Sequence, residues 1–173
     1  PVNCAEDLAA LLAEREKTPP MLTYAIITYN RSRFLAKSLE SVLQQAGNDA
    51  LVEVLVSDNA STDDTRSLVE GLQKRYRNLR YHCNEQNIGA EGNVHVAMRE
   101  SRGEYVIVAG DDDYLVDGTL YSLLDLMYQY RGYALFYRVW SDDPSAKKVY
   151  TGSGCLNYLA LLRCGITWLS TIA

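Results

Sequence analysis

Three consecutive carboxylates, Asp111, Asp112 and Asp113, directly follow the apolar run Tyr105 to Ala109. Like charges at this spacing repel one another, and a bound cation relieves the repulsion. An oxygen-only donor set suits Mg²⁺ or Mn²⁺ and not zinc. A hard cation held by one or two carboxylates usually binds substrate phosphates as well, which makes the cluster a candidate nucleotide diphosphate site. The plain structural alternative is an acidic helix start, with Asp117 as its N-cap.

Other polar residues follow other apolar runs. After Leu22 to Thr28 come Tyr29, Asn30 and Arg31, and after Leu51 to Val56 come Ser57, Asp58 and Asn59. Ser61 and Asp64 have the spacing of a capping box, which leaves Asp58 without a structural task. A carboxylate at that position can accept the imide hydrogen of a pyrimidine base. In the stretch Asn87 to Asn93, Gly89 and Gly92 stand at a helix entrance, where they let a backbone approach a ligand or simply form a turn. His82 and His95 have no second histidine or cysteine at ligand spacing and read as structural. Asp142 and Asp143 precede Pro144 and read as a turn, and neither a Ser/His/Asp arrangement nor a P-loop is present.

These residues need a frame, and the hydrophobic pattern supplies one. Strand-like runs at Leu22 to Thr28, Leu51 to Val56, Leu79 to Cys83 and Tyr105 to Ala109 alternate with helical patterns. The helices are predicted at Phe34 to Gln45, Thr65 to Tyr76, Ala90 to Ser101 and Thr119 to Tyr130. Such alternation means βαβ units and an α/β fold with a largely parallel sheet flanked by helices. In such sheets ligands bind at the carboxyl ends of the strands, where the polar residues above collect. A leading helix built on Leu8, Leu11 and Leu12 ends at Pro19 and Pro20. Beyond Tyr130 the pattern predicts strands at Tyr133 to Trp140 and Lys147 to Tyr150, then a helix at Cys155 to Arg163. The 13 tyrosines are read as half-buried rings at sheet edges, with sugar-stacking platforms as the alternative.

Composition bounds the function. The chain has 173 residues, 47% of them hydrophobic, and 22 acidic against 17 basic residues give a net charge of −5. This is one domain's worth of chain, able to bury a core without metals or disulfides. The acidic balance argues against nucleic acid as a partner, which would need clustered Lys and Arg. No run of about 18 apolar residues is present, so no membrane span is expected, although peripheral membrane association is compatible with the sequence. Cys4, Cys83, Cys155 and Cys164 form no C-x-x-C pair and read as reduced thiols in a cytoplasm. The start at Pro1 and the apolar finish from Gly165 to Ala173 read as part of something longer.

Four segments in order carry a resemblance. Tyr24 to Arg31, Val54 to Thr65, Asn87 to Gly89 and Gly103 to Asp113 together resemble the donor half of a family 2 inverting glycosyltransferase of the GT-A, Rossmann-like fold. The resemblance runs from about Leu22 to Leu120 and implies transfer of a sugar from a nucleotide diphosphate donor to the hydroxyl of a glycan or lipid-linked acceptor. It implies that Thr28, Tyr29, Asn30 and Arg31 line the nucleotide pocket and that Asp58 meets the base. Asn59, Asn87, Gly89 and Asn93 would belong to the same nucleotide-sugar site, with Asp111 beside the donor ribose. Asp112, with Asp113 next to it, would hold the divalent metal, Mn²⁺ or Mg²⁺. Ile27, Gly92 and Gly110 depart from residues common in the family, namely proline, arginine and the first aspartate of the acidic motif. The expected division is a leading helix at 1–20, a nucleotide-sugar-binding half at 21–130 and the start of an incomplete acceptor side at 131–173. The general base is expected beyond Ala173, so the fold reads as truncated at its C-terminus. A non-catalytic nucleotide-sugar or glycan binding module is the competing reading. A sugar nucleotidyltransferase is disfavoured, because no glycine-rich, Arg- and Lys-bearing loop follows the first strand.

Overall fold

The computed structural model describes residues 18–129 and 168–171. Its elements are β1 (Leu22–Thr28), α1 (Ser32–Ala46), β2 (Val52–Asp58), α2 (Thr65–Gln73), β3 (Leu79–Cys83), α3 (Gly89–Glu100), β4 (Tyr105–Gly110), α4 (Thr119–Gln129) and β5 (Trp168–Thr171). The five strands form one sheet in the order β3-β2-β1-β4-β5. The first four are parallel to their neighbours, and β5 pairs antiparallel with β4.

Alternation along each strand sends side chains to two different cores. Leu22, Tyr24 and Ile26 of β1, Val52, Val54 and Val56 of β2, and Tyr105, Ile107 and Ala109 of β4 share one cluster with Leu35, Leu39 and Val42 of α1, Val69 of α2, and Leu120, Leu124 and Met127 of α4. Ala25, Leu55, Val106 and Val108 point the other way, onto Ala97 of α3. This asymmetry follows from topology. The crossovers from β1 to β2 and from β2 to β3 step in one direction, and the crossover from β3 to β4 steps back past β1. A connection of constant hand that reverses direction must cross on the opposite face.

Helix ends differ from the sequence reading where side chains capture the chain. The helix predicted to run to Tyr76 stops at Gln73. Asn48 takes the backbone beyond it, donating to the Arg75 carbonyl at 3.3 Å and accepting from the Arg77 amide at 2.7 Å. The capping box expected of Ser61 and Asp64 does not form. Asp64 occupies the N-cap of α2 without a side-chain bond, and Ser61 gives its hydroxyl to the carboxylate of Asp58. The residue before α4 is Gly118, with φ of 75°, so Asp117 is not its N-cap. The leading helix, the strands predicted at 133–140 and 147–150 and the helix at 155–163 lie outside the described residues. β5 falls in a stretch that the sequence marks only as apolar.

Candidate functional site

Strand order reverses between β1 and β4, and at such a switch point the two following loops part and leave a crevice at the carboxyl ends. Thr28 closes β1 and Gly110 closes β4, so the residues after them meet there. Thr28 Oγ1 donates to Asp111 Oδ2 at 2.8 Å. The Arg31 guanidinium spans two carboxylates, with Nε 3.3 Å from Asp111 Oδ1 and Nη2 2.8 Å from Asp112 Oδ2. It also stacks 4.5 Å above the Phe34 ring. Asp111 is only 4% exposed, whereas the Asp112 side chain is more than half exposed.

Environment separates the two acids. Burial pushes the Asp111 carboxyl above its ordinary value, against the opposing pull of the Thr28 hydroxyl and the Arg31 charge. The hydrogen bond from Arg31 holds the Asp112 carboxyl below its ordinary value. Asp113 has a partner of its own. Its Oδ2 accepts the Gly110 amide at 2.8 Å, closing its own turn. A Cβ built on Gly110 would lie 2.9 Å from Asp112 Oδ1, so a side chain here would push the Asp112 carboxylate aside.

Among the described residues no three His, Cys, Asp or Glu side chains form a self-sufficient metal cage. The pair Asp111 and Asp112 nonetheless fits a hard cation of the kind that completes its shell with phosphate oxygens and water. Both donors are oxygens, and the position between them already accepts positive charge from Arg31.

Across β1 from Asp111 stands Asp58, in register with Thr28 and fully buried. Its Oδ1 accepts from the Ser61 amide and hydroxyl, and its Oδ2 accepts from Tyr81. The Ser61 hydroxyl also accepts the Asn30 amide at 2.8 Å, and Asn30 Oδ1 accepts the Thr62 amide at 2.7 Å. The loops after β1 and β2 are thus sewn together, and each has a non-glycine residue in the left-handed region, Asn30 at φ of 53° and Ala60 at 65°. Asparagine tolerates this conformation, and alanine adopts it under strain. Tyr29, 43% exposed, lies on the open side of this seam.

A second network supports the loop before α3. Asn59 donates to Asn87 Oδ1 and to the Gly89 carbonyl, and its own Oδ1 accepts from Ile88 N and Asn84. Asn93, 1% exposed, exchanges hydrogen bonds with Ser57: its amide donates to the Ser57 carbonyl at 2.8 Å, and it accepts the Ser57 hydroxyl at 2.7 Å. Asn59 and Asn93 therefore act here as positioning residues behind the rim, whereas Asn87 and Gly89, the latter at φ of 79°, form the exposed edge. Ser61, Asp63, Tyr81 and Asn84 complete the site, although the sequence reading gave none of them a site role. Asp63 Oδ2 accepts the Ser32 amide, and its Oδ1 accepts the amide and hydroxyl of Thr65, so one carboxylate serves the first residues of both α1 and α2.

The chain has known relatives. Residues 23–162 match the family model described as Glycosyl transferase family 2. A GalNAc(5)-diNAcBac-PP-undecaprenol beta-1,3-glucosyltransferase of Campylobacter jejuni is 32% identical over 138 residues, a match covering 78% of this chain and 43% of that protein. The poly(ribitol-phosphate) beta-N-acetylglucosaminyltransferase TarS of Staphylococcus aureus is 33% identical over 103 residues, covering 58% of this chain and 18% of that protein. The crystal structure of TarS 1-349 shares the fold with a TM-score of 0.67 at 23% identity, over 87% of this chain and 46% of that one. Its complex with UDP matches with a TM-score of 0.57 at 28% identity, over 62% of this chain and 32% of that one. The chain spans less than half the length of these curated relatives. With a family match running from β1 through α4 and beyond, and with the same fold in its structural neighbours, this chain belongs to glycosyltransferase family 2.

Proposed function

We propose that residues 21–130 bind a nucleotide diphosphate sugar, and that the protein transfers the sugar with inversion to an acceptor hydroxyl on a glycan or lipid-linked carrier, with residues 131–173 beginning the acceptor side. The observation that carries this is the convergence of Thr28, Arg31, Asp111 and Asp112 on the switch point between β1 and β4. The TarS structures in complex with UDP and with UDP-GlcNAc, each 28% identical, support a uridine nucleotide as donor. The activities of the relatives, on an undecaprenol-linked glycan and on poly(ribitol-phosphate), support an acceptor of the lipid-linked or polymeric kind.

In this reading Asp58 offers its one remaining lone pair to the imide hydrogen of the base, and Tyr29 lies beside the ring. Asp111 accepts from the ribose, and Asn87 and Gly89 form the wall next to the sugar nucleotide. Arg31 pairs with the phosphates. Asp112 with Asp111 would hold Mn²⁺ or Mg²⁺, which when bound supplies Lewis-acid neutralisation of charge on the departing diphosphate.

The test is UDP binding by calorimetry in Mn²⁺ and in EDTA. The expected result is tighter binding in Mn²⁺ and loss of that increment in Asp112→Asn. Equal affinity in the two buffers overturns the metal assignment.

A further inference from the structure

We infer that Arg31 is a resident counter-cation: it occupies the position between Asp111 and Asp112 in the absence of ligand, yields it to the divalent metal, and moves onto the diphosphate that arrives with the metal. This rests on the metal reading above and adds a sign to it. Arg31 opposes the metal when no nucleotide is present and assists it when nucleotide is bound.

The geometry carries the exchange. A guanidinium that recognises one carboxylate presents two parallel donors to it. Arg31 instead splits its fork, giving Nε to Asp111 at 3.3 Å and Nη2 to Asp112 at 2.8 Å. That is a bridging position between two acids that would otherwise repel. The guanidinium stays charged at every accessible pH, so the neutralisation is permanent. Its arm to Asp112 is easily surrendered, because the Arg31 side chain is 42% exposed and that of Asp112 55%, and solvated pairs of this kind contribute little. Its arm to the buried Asp111 is the longer one, at 3.3 Å.

Arg31 also has somewhere to go. Phe34, three residues on and half exposed, lies under the guanidinium at 4.5 Å, so the planar group keeps one support while its donors rotate away from the carboxylates. Charge counting gives the two signs. Two carboxylates cannot favourably hold a dication and a guanidinium together, so metal alone must displace Arg31. Once a diphosphate adds its own negative charges, both cations are accommodated, the metal between carboxylates and phosphates and the guanidinium on the outer phosphate oxygens.

The experiment measures Mn²⁺ binding to the chain by the loss of the free Mn²⁺ electron paramagnetic resonance signal, without nucleotide, and UDP binding in saturating Mn²⁺. The proteins are the unmutated chain, Arg31→Ala, Arg31→Gln, and Arg33→Ala, which removes the same charge from an exposed position two residues away. Both Arg31 variants should bind Mn²⁺ about three- to tenfold more tightly and UDP in Mn²⁺ about tenfold more weakly. Arg33→Ala should stay within about twofold for both. If the Arg31 variants bind Mn²⁺ no more tightly while the unmutated chain still binds UDP better in Mn²⁺ than in EDTA, the counter-cation role is wrong and the metal reading stands. An equal gain in Arg33→Ala reduces the effect to net charge and also overturns the inference. If Mn²⁺ leaves UDP affinity of the unmutated chain unchanged, the metal reading fails and the inference fails with it.

Discussion

Thr28 and Asp111, separated by 83 residues, are joined by a 2.8 Å hydrogen bond across the seam between β1 and β4. The bond favours the ionised carboxylate, against burial that pushes the Asp111 carboxyl above 3.8. A raised carboxyl means that the folded chain holds the proton more tightly than the unfolded one, so this group's contribution to stability falls as pH rises through the raised value. Thr28→Val should move that loss to higher pH and should shift the acid limb of UDP binding upward as well. A binding titration across pH 4 to 8, alongside urea unfolding at the same pH values, checks both shifts.

Asp63 gives the opposite sign. Burial would raise its carboxyl, but hydrogen bonds from Thr65 and Ser32 overcome this and hold it at about 2, below the ordinary 3.8. The resulting stability is present above 3.8 and lost as pH falls toward about 2. Because the carboxylate serves the starts of two helices, Asp63→Ala should cost about 1 to 2 kcal/mol at pH 7. Urea unfolding of variant and parent should converge as the pH approaches about 2.

Tyr81→Phe removes one of the donors to the buried Asp58 carboxylate. An unsatisfied buried acceptor costs about 1 to 3 kcal/mol. The two Ser61 bonds remain, so uridine binding should be retained under conditions where the variant is folded. Uridine calorimetry, with circular dichroism as the folding control, separates the cost to the frame from the cost to the base contact.

Gly103→Ala should be the most damaging single methyl in the chain's frame. A Cβ there would lie 2.4 Å from Thr23 N, 2.7 Å from the Leu22 carbonyl carbon and 2.8 Å from the Tyr105 oxygen, all of them backbone atoms. A loss of about 3 kcal/mol is expected. The urea midpoint of the variant measures it.

β1 was legible because burial on both faces leaves a near-continuous apolar run, and its bounds are those read from sequence, Leu22–Thr28. β3, a partly buried edge strand, also has the bounds read from sequence, Leu79–Cys83. The rim was legible as a set of positions, since the residues after each strand of an α/β sheet face one edge. Which of those residues line the edge and which hold it was not. Asn93 and Asn87 belong to the same sequence motif, yet only Asn93 is consumed by Ser57, 36 residues away. Ser61 fits a capping pattern toward Asp64, three residues on, yet its hydroxyl goes to Asp58, three residues back. Asp113 is indistinguishable from its neighbours by type, and only the structure shows its carboxylate accepting the Gly110 amide.

At the far end of the sheet, Thr23 Oγ1 donates to the buried Glu53 at 2.7 Å and accepts the Gly103 amide at 2.8 Å, while Glu53 also takes Arg80 at 2.8 Å and the Arg102 amide at 3.0 Å. The seam between β1 and β4 is therefore bolted at its amino end by Glu53 and at its carboxyl end by Thr28 and Asp111. A seam fixed at two points roughly 17 Å apart cannot slip in register. Adaptation to a different ligand then has to be made in the segments 29–31, 59–64 and 112–118, which can be exchanged as cassettes while the strands beneath them and the Thr28–Asp111 bond stay in place.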